Sequence, residues 1–291
     1  MPCSAVTLSL ATVAGVVAVA LLGIAFGTDN WVYIRVDRDA IQADMASGVG
    51  SLSPADQERF ETEAIYRSRT QGLFRTCFPE GRPKGVDVYL SPVETYCTNI
   101  DYYIPDEDNL TKTFSEELMA RLHMARSMIA LFIVAFFFVF VAFWTGVVGC
   151  WRRSAANVGT TAALMLFACL FSAGSMGLWH GVQYFEQKKL NEAPYYRSWP
   201  PLAKKHTHAD YDWSFYVAWT GVGACFFSFL FFVIASIILR REKDKRAMQA
   251  QYVMSVYPTK SSSGGYGPQY GYNTYNHPGP YYGSQYGNYN Y

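Results

Sequence analysis

Four long apolar runs without a charged side chain dominate the sequence. They cover about residues 8–26, 127–149, 158–179 and 215–239. A run of 18 or more apolar residues is long enough to cross the roughly 30 Å hydrocarbon core of a bilayer as a helix. Backbone N–H and C=O groups find no water in lipid, so each run is predicted to be α-helical. The expected fold class is therefore membrane α-helical, with a four-helix transmembrane bundle.

The first run has a second interpretation, because an apolar segment near the start of a chain can be a cleaved signal peptide. Its apolar stretch is longer than a usual signal core, and no Lys or Arg precedes it. No clear cleavage site with small residues stands before Trp31. We therefore interpret residues 8–26 as a retained helix.

Basic residues beside the spans predict the orientation. Arg152 and Arg153 lie in the short loop after the second span, and a basic run from Arg240 to Arg246 follows the fourth. Short basic segments beside spans stay cytoplasmic. Both termini are thus predicted to be cytoplasmic, with outer loops at 27–126 and 181–214. The second outer loop holds five basic residues and departs from this rule.

Two features of the first outer loop agree with an outer or lumenal position. Asn109-Leu110-Thr111 is a glycosylation sequon, which can be glycosylated only on the lumenal side of the membrane. Of the six cysteines, only Cys77 and Cys97 lie in an outer loop. In an oxidising compartment such an even pair is most simply a disulfide.

The first outer loop is long enough for a small domain. Residues 31–36, 71–78, 86–90 and 96–103 have the β-branched and aromatic content of strands. They predict a small antiparallel β-sheet in which the disulfide joins two strands. A helix is expected from Ser53-Pro54 to about Tyr66, because serine and proline mark helix starts.

Glycine pairs at a spacing of four residues occur at Gly23 and Gly27 and at Gly177 and Gly181. Such pairs let membrane helices approach closely. We expect them to close the protein's own bundle, and docking of a partner helix is the alternative.

No enzyme signature, nucleic-acid motif or cofactor site is recognisable in the sequence. His206, His208 and Asp210 are suitable metal ligands by type, but we favour a polar loop beside the membrane and predict no metal site. The four runs lack Asp, Glu, Lys and Arg, which argues against a pump, a coupled transporter or a voltage sensor. A non-enzymatic protein in contact with membrane lipids is expected.

The last part of the chain, residues 247–291, changes character. Eleven tyrosines stand among Gly, Asn, Ser, Gln and Pro from residue 252 onward. Such a composition cannot bury a core, so a disordered cytoplasmic tail is predicted.

A family resemblance rests on Trp31, Gly72-Leu73-Phe74, Cys77 and Cys97. Together they resemble the W…GLW…C…C signature of the claudin superfamily, which includes peripheral myelin protein, calcium-channel gamma subunits and auxiliary subunits of AMPA receptors. The resemblance implies a claudin-like tetraspan domain over residues 1–246. Phe74 replaces the usual tryptophan, and the cysteine spacing is wider than in barrier-forming claudins. These departures argue against tight-junction strand formation.

A finer likeness is carried by three further segments. Thr28 to Trp31, Asn109 to Thr113, and Tyr211 to Ser214 with Ala218-Trp219 look like the transmembrane protein 178 group, which is associated with regulating calcium signalling from membranes. By analogy, the chain is expected to be an auxiliary subunit that contacts a channel or receptor subunit laterally. The alternative is a claudin-like junction or adhesion protein. The protein could also form a homo-oligomer. Its membrane is either the plasma membrane or that of the endoplasmic reticulum.

Overall fold

The computed structural model describes residues 2–47, 54–103, 114–152 and 154–256. Within these ranges the helices are α1 (Pro2–Gly27), α2 (Arg38–Ala46), α3 (Pro54–Thr62), α4 (Glu116–Arg152), α5 (Ala155–Tyr184), α6 (Pro201–Lys205) and α7 (Trp213–Val256). The strands are β1 (Val32–Val36), β2 (Arg69–Gln71), β3 (Arg75–Phe78), β4 (Tyr89–Leu90), β5 (Tyr96–Asn99) and β6 (Thr207–Tyr211). The Asn109 sequon, Ser53 and the Tyr-rich segment from residue 257 onward lie outside the described ranges.

The chain divides into two compact units. The first, Met1–Lys245, contains the sheet and the packed helices. The second, Arg246–Tyr291, is described only as far as the end of α7 at Val256.

Four helices, α1, α4, α5 and α7, are long and apolar enough to cross a membrane by length and composition. The predicted four-helix bundle with a small antiparallel sheet is therefore confirmed. The helices extend beyond the predicted runs: α4 has 37 residues and begins at Glu116 instead of Ser127. At 1.5 Å per residue it is about 55 Å long, so it exceeds the thickness of the hydrocarbon core.

Close helix contacts occur at Gly221, which is outside the predicted glycine pairs, and at Gly181, which is the only member of those pairs to make one among the described residues. A Cβ atom added at Gly221 of α7 would lie 2.9 Å from Leu22 Cγ of α1. At Gly181 of α5, a Cβ would lie 3.1 Å from the Met124 sulfur of α4. Gly23, Gly27 and Gly177 have open space instead, with no heavy atom of the described residues within 4 Å of a Cβ. Of the four glycines in the predicted pairs, only Gly181 therefore makes the expected close contact between the described helices.

The six strands form one antiparallel sheet in the order β4-β5-β3-β2-β1-β6. Strand β6 comes from the second outer loop and pairs with β1 along its whole length, from Val32 opposite Tyr211 to Val36 opposite Thr207. Sequence patterns did not predict β6, since its polar residues resemble a loop. The two predicted outer loops therefore build one domain, which we call the outer domain.

The predicted strand 71–78 is wrong, because this segment is a hairpin. Gly72 N–H donates to the Arg75 carbonyl at 2.8 Å, which turns the chain between β2 and β3. Leu73 lies in this turn and is fully buried in the main hydrophobic core. The segments 86–90 and 96–103 are also shorter strands than predicted, at Tyr89–Leu90 and Tyr96–Asn99.

A second hydrophobic cluster lies in the outer domain. Val36, Ile41, Phe60, Tyr66, Trp199 and Ala203 are its buried members. The helix expected up to Tyr66 ends at Thr62 and is followed by a 3₁₀ turn, Ala64–Tyr66. Helix α2 was not predicted, although Asp37 is a helix-start signal: its Oδ1 accepts from Ala40 N–H at 3.0 Å.

Candidate functional site

Residues 28–31, which we call the junction segment, join α1 to β1 and fix the sheet on the bundle. Trp31 is fully buried, and its Nε1–H donates to the Ala25 carbonyl at 2.8 Å. Its ring meets Trp179 of α5 edge-to-face at 5.1 Å and Phe132 of α4 at 6.1 Å. The tryptophan of the motif thus connects the first strand to three helices.

The junction segment also binds the start of α7. Asn30 Nδ2 donates to Asp212 Oδ2 at 3.0 Å, and the hydroxyls of Thr28 and Ser214 lie 2.8 Å apart. Asp212 N–H donates to the Trp31 carbonyl at 3.0 Å. These bonds hold the start of the last long helix beside the end of the first.

The Gly72-Leu73-Phe74 turn packs closely against the junction segment. A Cβ atom at Gly72 would lie 2.5 Å from the Cα atom of Asp29, so only glycine allows this approach. The Phe74 ring packs edge-to-face on Phe26 at 5.1 Å. The three residues of the motif therefore dock the β2–β3 hairpin on the end of α1.

An ion pair completes this contact. Arg75 Nη2 lies 2.6 Å from Asp29 Oδ2, and Arg75 Nε donates to Asp29 Oδ1 at 3.1 Å. Burial raises the pKa of Asp29, and the Arg75 guanidinium partly opposes that change. The geometry is the bidentate one that orients two planar groups relative to each other.

Cys77 and Cys97 stand directly opposite each other on β3 and β5 and form a disulfide. Both are buried. The predicted disulfide and its position between two strands are confirmed.

A buried ion pair joins the first turns of α4 to the helical turn Phe185–Lys189 that follows α5. Arg121 Nε donates to Glu186 Oε1 at 2.9 Å, and Gln71 Nε2 of β2 donates to the other carboxylate oxygen at 3.3 Å. The side chains of Arg121 and Glu186 are only 10% and 12% exposed. Sequence reasoning missed this pair because both residues lie outside the apolar runs, among other charged residues.

The second outer loop is bound to α2 through Asp44. Its Oδ2 accepts from Lys205 Nζ at 2.7 Å and lies 2.8 Å from His206 Nε2. The hydrogen bonds from Lys205 and then His206 lower the pKa of Asp44. His208 and Asp210, which like His206 are metal ligands by type, are exposed on β6. Within the described ranges, no three His, Cys, Asp or Glu side chains are grouped to hold a metal ion.

The β4–β5 hairpin exposes apolar side chains at the edge of the sheet. Tyr89, Leu90 and Val93, which we call the hairpin patch, are 39%, 60% and 76% exposed. Strand β4 has only two residues, so this edge offers few free backbone groups for pairing. Exposed apolar side chains on such an edge are typical of a contact surface.

A second apolar surface lies on the bundle. Phe137, Phe140, Phe143 and Trp144 of α4, which we call the aromatic face, are each more than half exposed. Phe137, Phe140 and Trp144 follow helical spacing along one side. In a bilayer this face meets lipid or another helix.

The resemblance seen in the sequence extends to known proteins. A profile of the family described as PMP-22/EMP/MP20/Claudin tight junction matches residues 16–234. The human voltage-dependent calcium channel gamma-5 subunit is 32% identical over 134 residues, which are 46% of this chain and 38% of that protein. The human voltage-dependent calcium channel gamma-7 subunit is 26% identical over 214 residues, which are 73% of this chain and 64% of that protein.

The chain thus spans less than two thirds of the length of these curated relatives. The finer likeness to the transmembrane protein 178 group stays a prediction. The matched profile covers more than half of the chain, including Trp31, the Gly72 turn and the disulfide. With its four apolar helices, the chain is a multi-pass membrane protein, and it belongs to the PMP-22/EMP/MP20/Claudin tight junction family.

Proposed function

We propose that this chain is a non-enzymatic auxiliary subunit that regulates an ion channel or receptor, with calcium signalling as the setting. Support comes from the relatives, which are named as subunits of voltage-dependent calcium channels. A membrane protein without charge in its predicted spans is suited to binding a channel and not to forming a coupled transport path.

The hairpin patch is the observation that carries the proposal. Leu90 and Val93 are well exposed to water, yet they sit on a sheet that the disulfide and the junction segment hold rigidly on the bundle. A firmly held apolar patch loses little entropy on binding, which favours its use as a contact surface. It would touch the outer domain of the partner.

The aromatic face of α4 supports a lateral contact within the membrane. Large rings supply much of the contact energy at interfaces and lose little conformational freedom when buried. The same face would pack on lipid when no partner is bound. Self-association through it gives a homo-oligomer, which co-purification distinguishes from a partner complex.

The orientation and compartment belong to the proposal as well. Both termini are cytoplasmic, the sheet is outer or lumenal, and residues 247–291 form a cytoplasmic tail. The basic segments beside the second, third and fourth spans support this orientation, as does a disulfide in the first outer loop. The protein resides in the plasma membrane or the endoplasmic reticulum.

The proposal is tested by purifying the tagged full-length protein in mild detergent and quantifying accompanying proteins by mass spectrometry. We expect a channel or receptor subunit at near-stoichiometric level. Leu90→Glu with Val93→Glu should reduce its recovery at least tenfold, because charges would enter an apolar contact.

Gln42→Glu with Gln57→Glu forms the matched control, since these substitutions add the same two negative charges at exposed positions of α2 and α3, outside the β4–β5 hairpin. Their recovery of the partner should equal that of the wild type. Recovery of the protein alone, or of junctional proteins, would contradict the auxiliary role and favour self-assembly or adhesion.

A further inference from the structure

A cavity of about 610 Å³ lies between one face of the outer sheet and the second outer loop. Its sheet side is formed by residues of β1, β2, β3, β5 and β6, and its loop side by Tyr195, Tyr196 and Trp199. Helix α4 contributes Arg121, α5 contributes Gln183, and the helical turn after α5 contributes Glu186. This volume is in the range of small-molecule binding sites.

The floor of the cavity has an unequal charge balance. Glu186 is one carboxylate near two guanidinium groups, those of Arg121 and Arg69. Its Oε1 accepts from Arg121 and its Oε2 accepts from Gln71, so both oxygens are engaged. Within the described residues, Glu186 forms a salt bridge with Arg121 and none with Arg69.

Arg69 has only neutral partners in contact. Its Nη1 donates to the carbonyls of Ala64 at 2.9 Å and Arg67 at 3.3 Å, and its guanidinium lies 5.1 Å from the centre of the Trp199 ring. Among the described residues, no carboxylate oxygen lies within the 4.0 Å of a salt bridge. Burial lowers the pKa of Arg69 to about 10, and the nearby charge of Glu186 opposes this change only in part.

Gln183 gives a second and independent sign of a ligand. Its side chain is 5% exposed and lines the cavity, yet its Nε2 atom makes no hydrogen bond within the described part of the chain. A buried amide donor without a partner costs free energy, so native proteins rarely keep one. Asp101, the other acid of the cavity, is exposed to water.

We propose that this cavity binds an amphipathic anion, with a carboxylate or phosphate head group accepted by Arg69 and Gln183 and an apolar body against the cavity walls. The walls suit such a body, because Val32, Ile34, Ile65, Phe78 and Trp199 line them. An anionic oxygen would supply the charge that Arg69 lacks and the acceptor that Gln183 lacks. The site does not depend on the proposed partner contact.

Two sources share this chemistry: a free fatty acid from solution and an acidic phospholipid from the membrane. They are distinguished with the full-length protein in nanodiscs of phosphatidylcholine. In one arm, a diazirine-bearing fatty acid is added and its crosslinks are mapped by peptide mass spectrometry. In the other arm, the diazirine is on the acyl chain of phosphatidylglycerol built into the nanodisc.

The methyl ester of the same photoreactive fatty acid is the matched probe, since it has the same body without the charge. We expect the acid, or the phosphatidylglycerol, to label peptides that contain Ile65 or Trp199 at least tenfold more than the ester does. Labelling of the four long helices serves as an internal standard in each sample. It reports the bulk concentration of probe in the bilayer.

Gln183→Leu, close in size and without the donor, should reduce cavity labelling about tenfold. Arg69→Gln should reduce cavity labelling at least as much. Arg59→Gln is the control, because the Arg59 side chain is 64% exposed and does not line the cavity, and it should leave the labelling unchanged. If Arg69→Gln does not fold, Gln183→Leu still tests the proposed anion site. Equal labelling by acid and ester, no cavity labelling by either probe, or labelling unchanged in folded Gln183→Leu would overturn the proposal.

Discussion

At the scale of single residues, Gly72 is the position where a small change should have the largest effect. The methyl group of Gly72→Ala would meet the backbone of Asp29 at 2.5 Å, and backbone moves less readily than a flexible side chain. We expect a loss of stability of about 1–3 kcal/mol, the usual cost of overpacking. Fluorescence-detected size exclusion after heating should give a lower midpoint than for the wild type. Gly23→Ala, where a Cβ meets open space, should behave like the wild type.

Asp44 gives a prediction for pH dependence. Its pKa is lowered below the ordinary 3.8 by the hydrogen bonds from Lys205 and His206, so the folded state favours the ionised form. The resulting stabilisation is present above pH 3.8 and is lost as the pH falls through the lower folded pKa. Hydrogen exchange of residues 201–206 should therefore be slower in the wild type than in Asp44→Asn at pH 7, and equal in both well below pH 3.8.

Asp87→Asn is the control for this experiment, because the Asp87 side chain is exposed and, among the described residues, makes no bond to the second outer loop. It should match the wild type at every pH. A wild-type advantage that persists unchanged far below pH 3.8 would show that Asp44 does not hold this loop through its charge.

At the scale of elements, the contact of α1 with α7 depends on Gly221. A side chain there would meet Leu22 Cγ at 2.9 Å and Leu22 N at 3.1 Å, while the same change at Gly223 meets open space. Both glycines are in one helix, so Gly223→Val controls for helix propensity. Gly221→Val should lose about 1–3 kcal/mol more than Gly223→Val, measured as thermal midpoints in one detergent. Equal midpoints would mean that the two helices separate without cost.

The disulfide between β3 and β5 should matter most for assembly of the sheet. A sheet with short strands is marginal without such a link, and closing this loop contributes on the order of 3 kcal/mol. Cys77→Ser should therefore be retained in the endoplasmic reticulum and lose the gel shift on reduction. Cys169→Ala, which changes a free buried cysteine, should keep both trafficking and the shift. Normal trafficking of Cys77→Ser would show that the sheet does not need the disulfide for its stability.

The long helices that face lipid could be predicted from the sequence. Elements that are fixed by contacts with residues far away in the sequence could not be predicted. Lipid imposes a helix on any long apolar run, so α1, α4, α5 and α7 follow from composition. Strand β6 depends on pairing with β1, about 170 residues earlier, and its polar residues give no local signal. The turn at Gly72 resembles a strand in sequence because its neighbours are β-formers, whereas the burial of Leu73 in the main hydrophobic core fixes the path of the chain there. The charges on the cavity floor are similarly brought together only by the tertiary fold.

At the scale of the whole molecule, the outer domain and the bundle form one connected structure. The junction segment connects α1, the sheet and the start of α7. Glu186, in the helical turn after α5, binds Arg121 of α4 and Gln71 of β2. A surface on the sheet is thus held relative to the helices, which an auxiliary subunit needs if it is to touch a partner outside and within the membrane. This arrangement requires the whole sheet to lie on one side of the bilayer.

That side can be tested through Asn109, which belongs to the only Asn-X-Ser/Thr sequon of the sequence. A disulfide in the first outer loop favours an oxidising compartment, and an even number of spans puts both termini on the opposite side. We expect glycosidase treatment to increase gel mobility, and both Asn109→Gln and Thr111→Ala to abolish that change. Thr113→Ala, which leaves the sequon intact, should keep it. In sealed microsomes, protease should remove a tag after Tyr291 but leave the first outer loop intact; the reverse pattern would invert the topology and exclude the proposed outer contact.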